Sequence, residues 1–150
     1  MSRIIIQPLT ALNALMRWRI QVIRSVFGVE PDTKLLEANR GYYSYALSEG
    51  LHIACEALID GVPAGCGGVC FSDELPSPDN ASGRCGYLMN IYVEDSHRRM
   101  GIGHEIVKWL IAKALERGCD KIYLESTAGA RSLYESLGFR PMNDLMIYKP

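Results

Sequence analysis

Apolar residues along this chain follow a helical period in the first third, and strand-like runs take over from His52. Residues 3–7 form a short β-like run closed by Pro8. Leu12, Leu15, Met16, Ile20, Ile23 and Phe27 then recur at helical spacing and predict an amphipathic helix over 10–27, with Thr10 as its cap and Gly28 as its stop. A second helix is expected over 33–49, carrying Leu35, Leu36, Tyr42, Tyr43, Tyr45 and Leu47 and ending at Gly50, with Gly41 as a weak point. Its tyrosines read as packing residues.

Residues 52–59 read as a strand and Asp60-Gly61 as a hairpin turn, with the return strand over 62–71. Gly65, Gly67 and Gly68 weaken that strand or mark a bulge. Residues 73–84 have loop composition. Residues 85–93 are nearly continuous in apolar side chains, as in a central strand covered on both faces. Asn90 is the exception, a polar group that needs partners in the core or in a site. Past Gly101 a wide apolar arc (Ile102, Ile106, Val107, Leu110, Ile111, Ala114, Leu115) predicts a long helix ended by Gly118. A strand over 121–126, a short helix over 130–137 and a last strand over 145–148 complete a β-α-α-β-β-β-α-β-α-β order. The fold class is mixed α/β, with the strand–helix–strand unit from 85 to 126 parallel and right-handed.

Composition narrows the class. The chain has 150 residues, 48% hydrophobic and 22% charged, with a net charge of −1. That length suits one domain with a core of its own, over residues 1–150. The charge balance does not suggest a nucleic-acid partner. No run of about 20 apolar residues suggests a membrane segment. The start of the chain carries no signal-peptide pattern, so a cytoplasmic location is expected. Five cysteines, an odd number with no Cys-x-x-Cys pair, point away from a zinc site or disulfide framework, and no metal is expected.

Chemistry concentrates where the central strand meets the long helix. There a polar corner (Glu94, Asp95, Ser96, His97) leads into Arg98-Arg99-Met100-Gly101-Ile102-Gly103. The first amides of a helix lack partners and carry partial positive charge, which seats an anion. Gly101 and Gly103 allow close approach to the backbone, and the two arginines add forked donors suited to phosphate. The structural alternative is an ordinary strand-to-helix turn with solvated arginines. No P-loop string is present, and Ile106 stands where a dinucleotide fingerprint needs a third small residue.

The string Arg98-Arg99-Met100-Gly101-Ile102-Gly103 after a hydrophobic strand fits the pattern Arg/Gln-x-x-Gly-x-Gly/Ala. Downstream lies Ala130-Arg131-Ser132-Leu133-Tyr134-Glu135-Ser136-Leu137-Gly138-Phe139. Together they resemble the GNAT superfamily of acyl-coenzyme A-dependent N-acyltransferases. The resemblance is sharp over 87–139 and agrees in element order elsewhere. It implies a central mixed sheet of about six to seven strands flanked by about four helices. It also implies acetyl-CoA as co-substrate, with the pyrophosphate on the backbone from Arg99 through His104 beside Arg98, Met100, Gly101, Ile102 and Gly103. The pantetheine arm would add to the strand end at Ile91, Tyr92 and Val93.

By the same resemblance Tyr134 stands close to the coenzyme sulfur, as general acid to the departing thiolate. A backbone amide near Tyr92 or Val93 is a candidate for holding the oxyanion. Many relatives carry Asn where this chain has Thr127, a departure that leaves Thr127 as a hydroxyl contact to the arm. Arg131 is a further contact to phosphate or a solvated side chain. Glu56, a carboxylate in an otherwise apolar strand, is the best candidate for the base, with an outward-facing charge as the alternative. Tyr87 and Asn90 are placed near the acceptor cleft. The expected reaction moves an acetyl group to a small-molecule or peptidyl amine in a ternary complex. A non-catalytic acyl-CoA-binding or sensing domain, and a transferase for another acyl group, remain open alternatives. Dimerisation is common in enzymes resembling this one, so a homodimer is also open.

Overall fold

The amphipathic segments sort onto the two faces of one five-stranded sheet in a computed structural model that describes residues 3–142 and 144–150. The strands are β1 (Ile4–Pro8), β2 (His52–Ile59), β3 (Val62–Asp73), β4 (Arg84–Val93) and β5 (Lys121–Leu124), adjacent in that order. The first three pairings are antiparallel, and β4 pairs with β5 in parallel. Asp60 and Gly61, with φ of 49° and 81°, make the predicted hairpin turn between β2 and β3.

Helices α1 (Leu12–Val22) and α2 (Thr33–Ser48) cover one face, where Leu15, Met16, Trp18, Val22 and Tyr43 pack against Ala54, Cys66 and Tyr92. Helix α3 (Ile102–Glu116) covers the other with Ile106, Val107 and Leu110, each fully buried, and the short α4 (Arg131–Ser136) lies beside it. Burial of each such side chain contributes about 1.5–3 kcal/mol. No described helix is long and apolar enough to cross a membrane.

Three expectations change. Helix α1 is capped by the extended backbone of Ala11, with no side-chain cap from Thr10, and its last turn widens into a π-helix over Ile23–Phe27 before Gly28 turns left-handed. Periodicity does not register such widening, because it depends on what the last turn packs against. Gly41 leaves α2 unbroken, and Asp32 caps its start by accepting from the Leu35 amide at 2.8 Å. The expected strand over 145–148 is absent, leaving five strands where six to seven were expected. A strand exists only when a neighbour takes up its backbone groups. Met146 and Tyr148 are instead 98% and 88% exposed, and the outer edge of β5 stays open among the described residues.

Candidate active site

A bulge in β4 organises the site. Cys66 pairs with Tyr92 and Gly68 with Met89, so Asn90 and Ile91 together face Gly67 alone. Within the bulge Asn90 takes the left-handed conformation (φ 56°). Leu88 and Ile91 therefore both pack toward α3, although strict alternation would separate them. Gly67 leaves no room for a side chain, because a Cβ there would lie 2.7 Å from Ile106 and 3.0 Å from Leu110. A bulge bends its strand, and β4 parts from β5 just here: their pairing runs only from Cys85↔Lys121 to Leu88↔Leu124. Residues 89–93 thus have no strand neighbour on the β5 side among the described residues.

The parted stretch leads into the glycine-rich turn. Arg99 and Gly101 both have positive φ (65° and 82°), and successive turns of this kind point amides into one concavity. Among the described residues, the backbone amides from Arg99 to His104 donate to no protein acceptor. Arg98 behaves otherwise than its neighbours. Its Nε donates to the Val93 carbonyl at 3.2 Å, and its fork pairs with Asp95 at 3.0 Å, so the side chain folds back onto the strand end. Met100 is exposed and Ile102 is buried as the first core residue of α3.

Tyr134 lies on α4 next to Leu133, whose side chain would stand 3.3 Å from a Cβ on Gly103 of the turn. Tyr134 is 7% exposed, packed edge-on to Phe139 at 5.9 Å, and its hydroxyl makes no hydrogen bond among the described residues. Burial pushes its pKa above the ordinary phenol value, which keeps the proton on oxygen. Tyr134, Thr127 and Arg131 share the wall of a cavity of about 1120 Å³ that runs along the open edge of β5. That cavity does not include the glycine turn or residues 91–93, which form the other half of the arrangement. Arg131 pairs with Glu135 at 3.2 Å, and the Thr127 carbonyl accepts from Ala130.

Across the sheet, register lines up Gln7, Glu56, Cys66 and Tyr92 in one row. Strands lie about 4.8 Å apart, so Glu56 sits roughly 10 Å from Tyr92. It does not face outward: Trp18 Nε1 donates to its Oε2 at 2.7 Å. Tyr87 stacks against Tyr123 at 4.9 Å and pairs across to Cys70. Burial, with Glu125 nearby, raises its pKa. Burial also pushes the Tyr43 phenol up to about 12, against the pull of Arg19.

Asn90 is partnered as its position demands. Arg19 Nη1 donates to its Oδ1 at 2.9 Å, while Arg19 Nε donates to Asn39 Oδ1 at 2.9 Å. Arg19 and Asn39 escaped the sequence reading. A signal was present, since Arg19 stands within the buried arc that Leu15, Met16, Trp18 and Val22 define on α1. No group of metal-ligating side chains occurs among the described residues.

A mixed sheet opened between β4 and β5, above a run of free amides, defines an acetyltransferase-type fold. The chain belongs to the Acetyltransferase (GNAT) family, whose profile matches residues 12–139. Among solved structures, a predicted acetyltransferase with acetyl-CoA from Clostridium acetobutylicum superposes with a TM-score of 0.86 at 23% identity, over 99% of this chain and 96% of that one. A GCN5-related N-acetyltransferase from Ralstonia eutropha JMP134 gives 0.81 at 26% identity, over 99% and 98%. In sequence, the chain is 39% identical over 66 residues to N-alpha-acetyltransferase 30 of Dictyostelium discoideum, a match covering 42% of this chain and 36% of the relative. It is 38% identical over 66 residues to the [ribosomal protein bS18]-alanine N-acetyltransferase of Escherichia coli K12, covering 42% and 45%. The matched segment thus spans less than half of either relative.

Proposed function

We propose that residues 1–150 act as one N-acetyltransferase domain that moves the acetyl group of acetyl-CoA directly to a primary amine. The observation that carries this reading is the parting of β4 from β5 immediately before the unpaired amides of Arg99–His104. The turn suits a pyrophosphate: its left-handed residues and the start of α3 offer oriented donors to an anion. The outer side of Ile91, Tyr92 and Val93, which pairs with no strand and where Arg98 Nε bonds the Val93 carbonyl, suits the amide groups of the pantetheine arm, which pair like an added strand. Arg98, Met100 and Ile102 contribute backbone and packing, with the Arg98 side chain serving to hold the strand end. Thr127 and Arg131 flank the arm from the α4 side.

Tyr134 is the general acid in this reading. The amine nitrogen bonds to the thioester carbon, the carbon–sulfur bond breaks, and the Tyr134 hydroxyl passes its proton to the departing sulfur. Its lack of a protein partner and its raised pKa both support a proton held until it is needed. A strand-end amide near Tyr92 or Val93 stabilises the negative oxygen. Glu56, on the face opposite Tyr134, takes the ammonium proton through intervening water. Tyr87 and Asn90 orient the acceptor. The relatives' names include acceptors at protein N-termini and the ε-amine of thialysine, which supports a peptidyl or small-molecule amine. The five free thiols fit a cytoplasmic location.

Calorimetric titration with acetyl-CoA, with 3′-dephospho-CoA and NAD as controls, tests the coenzyme site. Micromolar binding of acetyl-CoA without binding of NAD is expected, followed by thiol release with a panel of amines. Absence of binding at millimolar acetyl-CoA would overturn the reading. Binding without thiol release would leave an acyl-CoA-binding domain.

A further inference from the structure

The guanidinium of Arg19 is fixed beside the parted strands, with no carboxylate at ion-pair distance among the described residues. Two hydrogen bonds hold it, and both end on neutral amide oxygens, those of Asn39 and Asn90. The carboxylates on the same face keep their charge but make their hydrogen bonds elsewhere, Glu56 with Trp18 and Glu94 with Gln21, each at 2.7 Å. An arginine offers five N–H donors, so three remain after these two bonds.

Its location matters as much as its charge. Asn90 is the bulge residue immediately before the stretch where β4 leaves β5. Tyr134, Leu133 and Ile102 fill the α3/α4 face of the sheet beside this stretch. On the opposite, α1/α2 face stands Arg19, its guanidinium 5.8 Å from the ring centre of the exposed Phe27, so an amine entering on that face passes it. A half-buried guanidinium with three free donors offers a carboxylate charge-assisted, forked hydrogen bonds that a plain alkyl group cannot make. Because two bonds already lock the fork, little side-chain freedom is lost when a carboxylate docks on it.

We propose that Arg19 binds a carboxylate on the amine acceptor, so that the substrate is an amino-acid-like amine in preference to a plain alkyl amine or a polyamine. The inference rests on the transferase reading above and goes on to name its substrate class. Asn39 and Asn90 are positioning residues in it, since they act by aiming the guanidinium.

The test compares matched amines by thiol release: 5-aminovalerate against pentylamine, lysine against cadaverine, and phosphoethanolamine against ethanolamine. In each carboxylate pair, kcat/KM is expected to be at least tenfold higher for the carboxylate-bearing member. Arg19→Gln should bring that ratio to within twofold of one while leaving acetyl-CoA affinity in place. Asn39→Asp supplies a second variant that keeps the helix surface intact: a carboxylate on the guanidinium should shrink the same ratio. Equal kcat/KM within the carboxylate pairs of the unaltered protein, or a preference in the phosphate pair alone, would overturn the proposal. Calorimetry of 5-aminovalerate and pentylamine with the CoA-loaded protein separates the two readings. Selective binding of 5-aminovalerate without any turnover would sink the transferase and keep the carboxylate site. Turnover without preference would sink the site alone, and neither binding nor turnover would remove both.

Discussion

Trp18 donates its indole N–H to the Glu56 carboxylate at 2.7 Å, joining α1 to β2 across the face that holds Tyr92. A carboxylate in the middle of a sheet is thereby solvated by one side chain and kept on the same face as the parted strands. Glu56→Gln keeps the shape and a hydrogen-bonding group but removes the proposed base. It is expected to lower kcat/KM by about 10²-fold or more while acetyl-CoA affinity, read by calorimetry, stays within twofold. Trp18→Phe leaves the carboxylate half-buried without its donor, at a cost of about 1–3 kcal/mol in urea unfolding. Full turnover in Glu56→Gln would assign the proton to another acceptor.

Tyr134→Phe isolates the phenol. The hydroxyl bonds to no described residue, and the ring's contact with Phe139 survives, so the melting temperature should hold. Turnover is expected to fall about 10²-fold or more, with little change in coenzyme affinity. An unchanged kcat would remove Tyr134 from the chemistry.

Gly67→Ala tests the packing that sets the bulge. The new methyl would meet Ile106 at 2.7 Å and Leu110 at 3.0 Å, both buried under α3. Overpacking of this kind costs about 1–3 kcal/mol. Thermal unfolding should show a Tm several degrees lower. Acetyl-CoA affinity should weaken with it, because α3 carries the turn. A variant as stable as the parent would mean that the sheet and α3 adjust freely.

His52 makes stability depend on pH. Its ring is buried between Tyr42 and Tyr43, close over Gly68, and its Nδ1 shares a hydrogen bond with the Tyr42 hydroxyl at 2.8 Å. Burial lowers its pKa to about 4, whereas in the unfolded chain it titrates near 6.5. Between those values the unfolded chain binds a proton that the folded one refuses. Stability is therefore complete above about pH 6.5 and is lost as pH falls toward 4, by up to about 3 kcal/mol. Urea midpoints at pH 7 and pH 4.5 should show the loss, and His52→Gln should reduce the difference. Equal slopes in the two proteins would mean that carboxylates alone set the acid limb.

Local order was legible along the chain. The apolar periods located both N-terminal helices, the Asp60-Gly61 hairpin and α3, because each follows from residues a few positions apart. The turn of unpaired amides was legible for the same reason: they belong to consecutive residues from Arg99 to His104, and the start of a helix frees its first amides without help from elsewhere. The family followed from that turn and the segment around Tyr134.

The tertiary structure decided whatever depends on partners far apart in sequence. Asn90 was recognisable as an anomaly, but that it bulges β4 and meets Arg19, 71 positions away, depends on register and on how α1 crosses the sheet. Glu56 was visible as a charge in an apolar strand, yet only packing gave it Trp18 and turned it inward. The apolar run over 145–148 read as a strand because pattern records a side chain's need for burial and says nothing of a neighbour; with none beside it, no strand forms. Periodicity is a property of the chain alone, whereas pairing, register and the charge left on Arg19 are settled only when distant segments share one surface.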